Sequence, residues 1–339
     1  MKLYSAIDLH STNHVLCIID EQDRRLLERR LPNKLGATLQ SLAPYHDALC
    51  GIAVESTYNW YWLVDGLMEA GYAVQLVNTA AVQQYSGLKY SDDRHDAFWL
   101  AHLMRLGLLP TGYIYPKAQR AVRDLLRKRG LLVRHQTAHT LSVQSLHSRL
   151  TGRQASSNVI QRSHAESIYL PGLSDAHRQL EMQSSLRLIQ ALAQQIRRIE
   201  QAVLATVRLA PAFLGLKQVP GIGKILGLTI MLETGEIARF ASAGHYASYC
   251  RAVRSEKISN GKKKGEGNRK NGNRYLGWAF VEAANLTIRY CEPAKRFFQR
   301  KLAQRNRAVA VKATANKLAK ACFYILRDQV EFDARLLFR

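Results

Sequence analysis

The first 110 residues pass through three short stretches of alternating character, separated by polar turns, and then change to a helix, strand, helix, strand, helix rhythm. Few sheet topologies accept that order. Over residues 2–9, Leu3, Ser5 and Ile7 alternate with Tyr4, Ala6 and Asp8. The turn Ser11-Thr12-Asn13 then leads into the apolar run Val15-Leu16-Cys17-Ile18-Ile19, which predicts a hairpin. A third strand is predicted over residues 25–31, after the polar turn Asp20-Glu21-Gln22-Asp23. A helix follows near residues 34–43, a strand over 49–54, a helix over 59–70, a strand over 73–77 and a helix over 92–106. Three hairpin-connected strands followed by this alternation is the order of the RNase H-like fold, a mixed sheet with helices on its faces. The expected class is therefore α/β plus α, with a domain over residues 1–115.

Beyond Pro116 the pattern becomes helical. Val122, Leu125, Leu126, Leu132 and Val133 form an apolar stripe, and Ile189, Leu192, Ile196, Ile199 and Val203 form a heptad-like seam. Residues 151–183 are polar and weakly patterned. A long antiparallel helical arm over residues 116–210, connected by a loop, is expected. Such an arm can dimerise or can pack only on its own chain, and the pattern leaves both open. A third region, residues 211–339, opens with Val219-Pro220-Gly221-Ile222-Gly223-Lys224 before the apolar helix 225–233, the pattern of a helix-hairpin-helix. Its turn amides and helix N-terminus can bind a phosphate, with Lys224 beside them, or can simply pack two helices. The glycine spacing fits neither nucleotide-binding motif.

Charge divides the chain unevenly. Residues 1–110 carry 9 Lys+Arg against 12 Asp+Glu and residues 111–339 carry 40 against 14, so segment charges of −3 and +26 sum to the net +23. A polybasic remainder behind an acidic module is the footprint of a protein that grips a phosphate backbone. No uncharged apolar run approaches the roughly 18 residues of a membrane span, and no signal-peptide succession opens the chain, so a cytoplasmic protein is expected. The five cysteines are scattered and never in C-x-x-C spacing, which argues against a disulfide framework and against a zinc site.

Four carboxylates stand out in the acidic module. Asp8 and Glu55 fall at predicted strand ends, and Asp93 and Asp96 are three residues apart on a predicted helix, so they share a face. Clustered oxygen ligands suit hard divalent ions, Mg²⁺ or Mn²⁺, which serve phosphoryl chemistry. Asp92 competes with Asp93 for one of these places, and the shared face with Asp96 favours Asp93. His10 and His95 lie close by in sequence. In the basic remainder, residues 251–274 hold nine Lys+Arg against Glu256 and Glu266. Their Gly and Asn content predicts a mobile loop up to Tyr275, where an apolar helix resumes. Lys257, Lys262, Lys263, Lys264, Arg269, Lys270 and Arg274 are the candidate phosphate contacts, although a charge run can equally be a solvated face. Ser259, among these cations and glycine amides, is a candidate nucleophile.

These segments together, Asp8 in AIDLH, Glu55 in VEST, the helix DDRHDAFWLAHLMR, the turn VPGIGKILG and the stretch SNGKKKGEGNRKNGNRYLGWAFVEAA, resemble the DEDD-type serine transposases of insertion-sequence family one-ten, particularly its one-one-one-one subgroup. The resemblance implies a Holliday-junction-resolvase-like N-terminal domain whose Asp-Glu-Asp-Asp tetrad falls on Asp8, Glu55, Asp93 and Asp96. It also implies a C-terminal transposase domain with a helix-hairpin-helix, whose nucleophilic serine falls on Ser259, a better match than Ser255. Many family members place glycine directly after the serine, where this chain has Asn260. The implied activity is excision and insertion of a mobile DNA element, with a noncoding guide RNA of bridge or seek type pairing to donor and target DNA. The resemblance further implies Mg²⁺ or Mn²⁺, homodimers or homotetramers, and catalytic sites that combine the tetrad of one subunit with the serine of another. A metal-dependent junction resolvase or nuclease that uses water as nucleophile is the alternative, and a non-catalytic nucleic-acid-binding protein is a third reading.

Overall fold

The computed structural model describes residues 1–82, 92–207, 210–266 and 271–339, and within that set the side chains of Lys257 and Lys263 are not described. The chain forms two compact units. One comprises Met1–Lys117 with Glu256–Asn271, the other Ala118–Ser255 with Gly272–Arg339.

The first unit is built on a five-stranded mixed sheet. Its strands are β1 (Leu3–Leu9), β2 (Asn13–Ile19), β3 (Arg25–Pro32), β4 (Leu49–Glu55) and β5 (Val74–Val77). The order across the sheet is β3-β2-β1-β4-β5, with β1, β2 and β3 antiparallel in succession and β4 and β5 parallel to β1 and to each other. This arrangement is consistent with an RNase H-like domain. Period-2 alternation sorts the side chains to two faces. Leu3, Ile7, Leu9, Leu16, Ile18, Ile52 and Val54 share one core with Leu42 of α1 (Leu35–Leu42) and with Leu63, Val64 and Leu67 of α2 (Tyr61–Glu69). On the other face Ala6, Val15, Cys17, Ala53 and Val77 pack with Ala97, Leu100, Ala101 and Met104 of α3 (Asp93–Arg105). The alanines on both sides of this second core let the α3 backbone come close to the sheet.

Both ends of α3 are anchored. Asp92 caps it, its Oδ1 accepting from His95 N at 2.8 Å. At the other end Asp23, in the turn between β2 and β3, accepts from His102 Nδ1 at 2.9 Å and from Arg105 Nε and Nη2 at 2.7 and 2.6 Å. Burial would raise the Asp23 carboxyl, but these donors outweigh it and hold the group below the usual range.

The second unit is helical. α4 (Lys117–Thr151, whose first residue belongs to the first unit) and α7 (Ala176–Val207) run antiparallel: Arg129 pairs with Glu200 at 2.7 Å, Gln136 Nε2 donates to Ile189 O at 3.3 Å, and Val143 and Leu146 share a core with Met182 and Leu186. Ile189, Ile196 and Val203 of the predicted seam are buried within this chain. The expected loop between the two long helices instead contains α5 (Ser157–Ile160) and α6 (Ala165–Tyr169). These single turns are too short to show a period, yet Ile160, Ala165 and Tyr169 fill the same core as Leu186.

The remaining helices are α8 (Pro211–Lys217), α9 (Lys224–Thr234), α10 (Ala243–Tyr249), α11 (Arg274–Tyr290), α12 (Glu292–Gln304), α13 (Arg307–Asp328) and α14 (Ala334–Leu337). They surround a core that includes Tyr246, Phe280 and Phe323. The turn between α8 and α9 abuts α11: Thr287 Oγ1 donates to Pro220 O at 2.5 Å, and a Cβ on Gly221, at φ +91°, would come within 2.7 Å of Thr287 N. Glycine is needed there both for the backbone conformation and for the close approach. No single helix among the described residues is long and apolar enough to cross a membrane.

Candidate catalytic centre

β1 and β4 are parallel neighbours paired at Ile7 and Val54, so the next residues, Asp8 and Glu55, leave the sheet side by side. Both lie on the face of Ala6 and Ala53, the one that α3 covers. Asp96 stands in the first turn of α3. These three carboxylates line one cavity of about 290 Å³, together with Thr79, Val82, Trp99 and Leu100. Asp8 is only 3% exposed, and His10 Nε2 lies 3.2 Å from its Oδ2. Glu55 is pushed up to about 8, by burial first, then by its hydrogen bond with Asp8 and the negative charges of Asp8 and Asp96. Without a cation, the environment of Glu55 thus favours its protonated form.

The fourth predicted ligand lies to one side. Asp93 Oδ2 is 2.6 Å from Arg30 Nη2 and 3.3 Å from His10 Nε2, and His10 Nε2 is 3.2 Å from Asp8 Oδ2. The hydrogen bond from Arg30 chiefly holds the Asp93 carboxyl below its usual range, against burial and with help from His10. His10 is placed by its backbone: its carbonyl accepts from Asn33 Nδ2 and Asn59 Nδ2, each at 3.0 Å. Asp8, His10 and Asp93 form a second possible ligand group sharing Asp8 with the cavity, their ligand atoms within 4.8 Å of one another. Asp92 is occupied as the cap of α3. Asn33, Asn59 and Thr79 were not singled out from the sequence, and nothing short of the three-dimensional convergence of their loops marks them.

The donor set fits a hard divalent ion. It is dominated by carboxylate oxygen, three carboxylates line one small cavity, and burial with neighbouring negative charge pushes Glu55 toward its protonated form, which a cation would reverse.

The stretch expected to be a mobile loop forms a two-stranded hairpin, β6 (Lys257–Ser259) and β7 (Lys262–Gly265), and α11 begins at Arg274. Ser259 pairs with Lys262 across a two-residue turn whose residues Asn260 and Gly261 have φ +48° and +70°. Asn-Gly is a strong two-residue hairpin signal because both positions tolerate positive φ. The surrounding lysines and glycines hide the flanking alternation. Ser259, Asn260, Lys262 and Lys264 are exposed. By its contacts this hairpin groups with the carboxylate-bearing unit, where Asn78 Nδ2 donates to Asn271 Oδ1 at 3.1 Å, whereas Ser255 falls in the other unit. Lys224 is exposed at the start of α9, and Arg274 is exposed at the start of α11. Arg269 and Lys270 lie outside the described residues, and for Lys257 and Lys263 only the backbone is described.

Residues 6–151 match a family model of DEDD transposases of IS110 type, and residues 215–299 match that described as transposase of the IS116/IS110/IS902 family. The chain belongs to the IS110/IS116/IS902 transposase family. Asp8, Glu55, Asp93 and Asp96 lie within the first matched segment, and Ser259 within the second. As a member, the transposase cuts and rejoins DNA and binds it, and the DEDD class points to dependence on a divalent metal. No match was found among curated proteins.

Proposed function

We propose that this transposase excises and inserts an insertion sequence by transesterification at Ser259, in a centre whose divalent ion, Mg²⁺ or Mn²⁺, is held by Asp8, Glu55, Asp93 and Asp96. A noncoding guide RNA of bridge or seek type would select the DNA, and the one-one-one-one subgroup is the closest reading of the motifs. The observation that carries the proposal is the convergence of Asp8, Glu55 and Asp96 on one cavity, where burial and the acidic neighbours push the Glu55 carboxyl up. The functional division is a Holliday-junction-resolvase-like catalytic domain over residues 1–115, an oligomerising arm over 116–210 and a transposase domain over 211–339, working as a homodimer or homotetramer in the cytoplasm.

In this reading a bound divalent ion supplies Lewis-acid stabilisation of charge on the phosphate. Asp8 and Glu55 present their oxygens from adjacent strand ends, while Asp93 is oriented by Arg30 and His10. The hairpin turn presents the Ser259 hydroxyl to solvent beside Lys262 and Lys264, whose charges favour a phosphate at that tip. Attack of Ser259 Oγ on phosphorus forms a phosphoserine bond and releases a 3′ or 5′ hydroxyl; reversal by another DNA hydroxyl restores the serine.

The test is adduct trapping on nicked DNA in Mg²⁺, read on denaturing gels and by peptide mapping. Wild type and Ser255→Ala should give a protein-DNA adduct at residue 259, and Ser259→Ala should bind DNA but give none. Cleavage by Ser259→Ala without an adduct would favour the resolvase reading with water as nucleophile. Sequencing the nucleic acid that copurifies with the protein tests the guide RNA.

A further inference from the structure

Within the second unit, α4, α9 and the start of α11 enclose a cavity of about 520 Å³ that contains none of the residues discussed above as carboxylate ligands or nucleophile. The volume falls in the range of roughly 300–1,000 Å³ typical of sites for small organic groups. Its buried anion, Glu233, is already satisfied: Arg127 Nε and Nη2 lie 2.6 and 2.7 Å from its two oxygens, and Asn273 Nδ2 donates to it at 2.8 Å. The Arg127 guanidinium in turn lies 4.6 Å from the centre of the Tyr275 ring. With that pair neutralised, what the cavity offers a visitor is apolar wall and positive charge. Arg134 lines the cavity and is exposed, and Arg274, hydrogen-bonded to the Tyr275 hydroxyl at 2.9 Å, is exposed as well.

Two residues have no evident packing reason to be where they are. Trp278, one helical turn after Arg274 and so on the same side of α11, lines the cavity yet is 46% exposed. Gly130 interrupts the middle of the 35-residue α4, where glycine weakens a helix, although a Cβ there would meet only the tip of Arg134 at 4.0 Å. A side chain at position 130 would narrow the cavity.

We infer that this cavity receives an unstacked nucleobase from a single-stranded segment of nucleic acid, stacked on Trp278, with Arg134 and Arg274 at its flanking phosphates. An aromatic platform in a cationic groove suits such a ligand, because every base presents a π face and every linkage a charge. The inference takes from the family only that this chain handles nucleic acid, and it does not depend on the carboxylate centre or on Ser259.

Fluorescence anisotropy with the full-length protein tests it, using oligo-deoxythymidine, oligo-uridine and a blunt DNA duplex, alongside thermal melting of each variant as a check on folding. Trp278→Ala should weaken single-strand binding by roughly tenfold, the size of one lost base stack. Trp278→Tyr should restore most of that loss, Gly130→Leu should reproduce it by filling the space, and duplex affinity should hardly change. Loss on DNA alone or RNA alone identifies which strand supplies the base. Photocrosslinking of halogenated-uracil oligonucleotides to the wild type, mapped by mass spectrometry, is independent of how the variants fold and should label the cavity wall. Unchanged single-strand affinity in folded Trp278→Ala, equal losses on strand and duplex, or crosslinks confined to other surfaces would overturn the assignment.

Discussion

At the scale of single residues, Glu55 carries the clearest electrostatic signature. Its carboxyl sits at about 8 in the folded chain against 4.5 for the ordinary group. Between those values the unfolded chain has lost the proton while the folded chain keeps it, so this group's contribution makes stability fall as pH rises through that window. A divalent ion replaces the proton and should reverse the trend. Metal-free protein should accordingly melt lower at about pH 8 than at about pH 5 by more than Glu55→Gln does, and added Mg²⁺ should raise the wild-type melting temperature most at the higher pH. An identical pH slope in Glu55→Gln would remove the proton from Glu55. The neighbouring aspartates separate by role. Asp92→Ala loses the cap of α3 and should cost about 1 kcal/mol of stability, with Asp92→Ser close to wild type. Asp93→Ala should leave melting nearly unchanged and abolish DNA cleavage under the proposed ligand role, a contrast readable from melting curves and cleavage gels on the same samples.

At the scale of elements, α3 carries two of the proposed metal ligands and the β6–β7 hairpin carries the proposed nucleophile. Because Asp23 ties the far end of α3 to the sheet through His102 and Arg105, Asp23→Ala should cost about 1–3 kcal/mol in denaturant unfolding. The carboxyl is held low, so the contribution is present above the ordinary aspartate range and is lost as pH falls through the folded value. In the hairpin, Asn260→Gly should be tolerated, whereas Gly261→Val forces a branched residue to φ +70°. Under the proposed role of Ser259, the displaced tip should lower adduct formation on the order of 100-fold. The five sheet strands are legible because short apolar or alternating runs are set off by polar turns and by helical segments. The shared face of Asp8 and Glu55 needs the parallel pairing of β1 with β4, and only their positions at strand ends showed in the sequence. The hairpin is hidden in the sequence although Asn260-Gly261 announces it, since Lys262, Lys263 and Lys264 mask any apolar period. α5 and α6 are too short for a period, and the Trp278 cavity gathers residues more than 100 positions apart.

At the scale of the whole molecule, the +26 excess over residues 111–339 is the dominant physical fact. A structured RNA bound through several phosphates should show log K falling against log salt with a slope on the order of −5, and a guide RNA should outcompete unrelated RNA of equal length at every salt concentration. Filter binding at several ionic strengths measures both, and equal competition by unrelated RNA would count against a guide.

The carboxylates and the serine hairpin share a unit assembled from two stretches of chain, residues 1–117 and 256–271, with 138 residues between them that belong elsewhere. That makes the unit impossible to obtain as a contiguous piece of the gene. A fragment that stops at Lys117 carries the acids without the serine, and one that starts at Glu256 carries the serine without the acids. Shuffling whole segments between related elements would then exchange half of the proposed centre rather than a module. An engineer who wants that unit alone must splice, joining Lys117 to Glu256 through a designed linker.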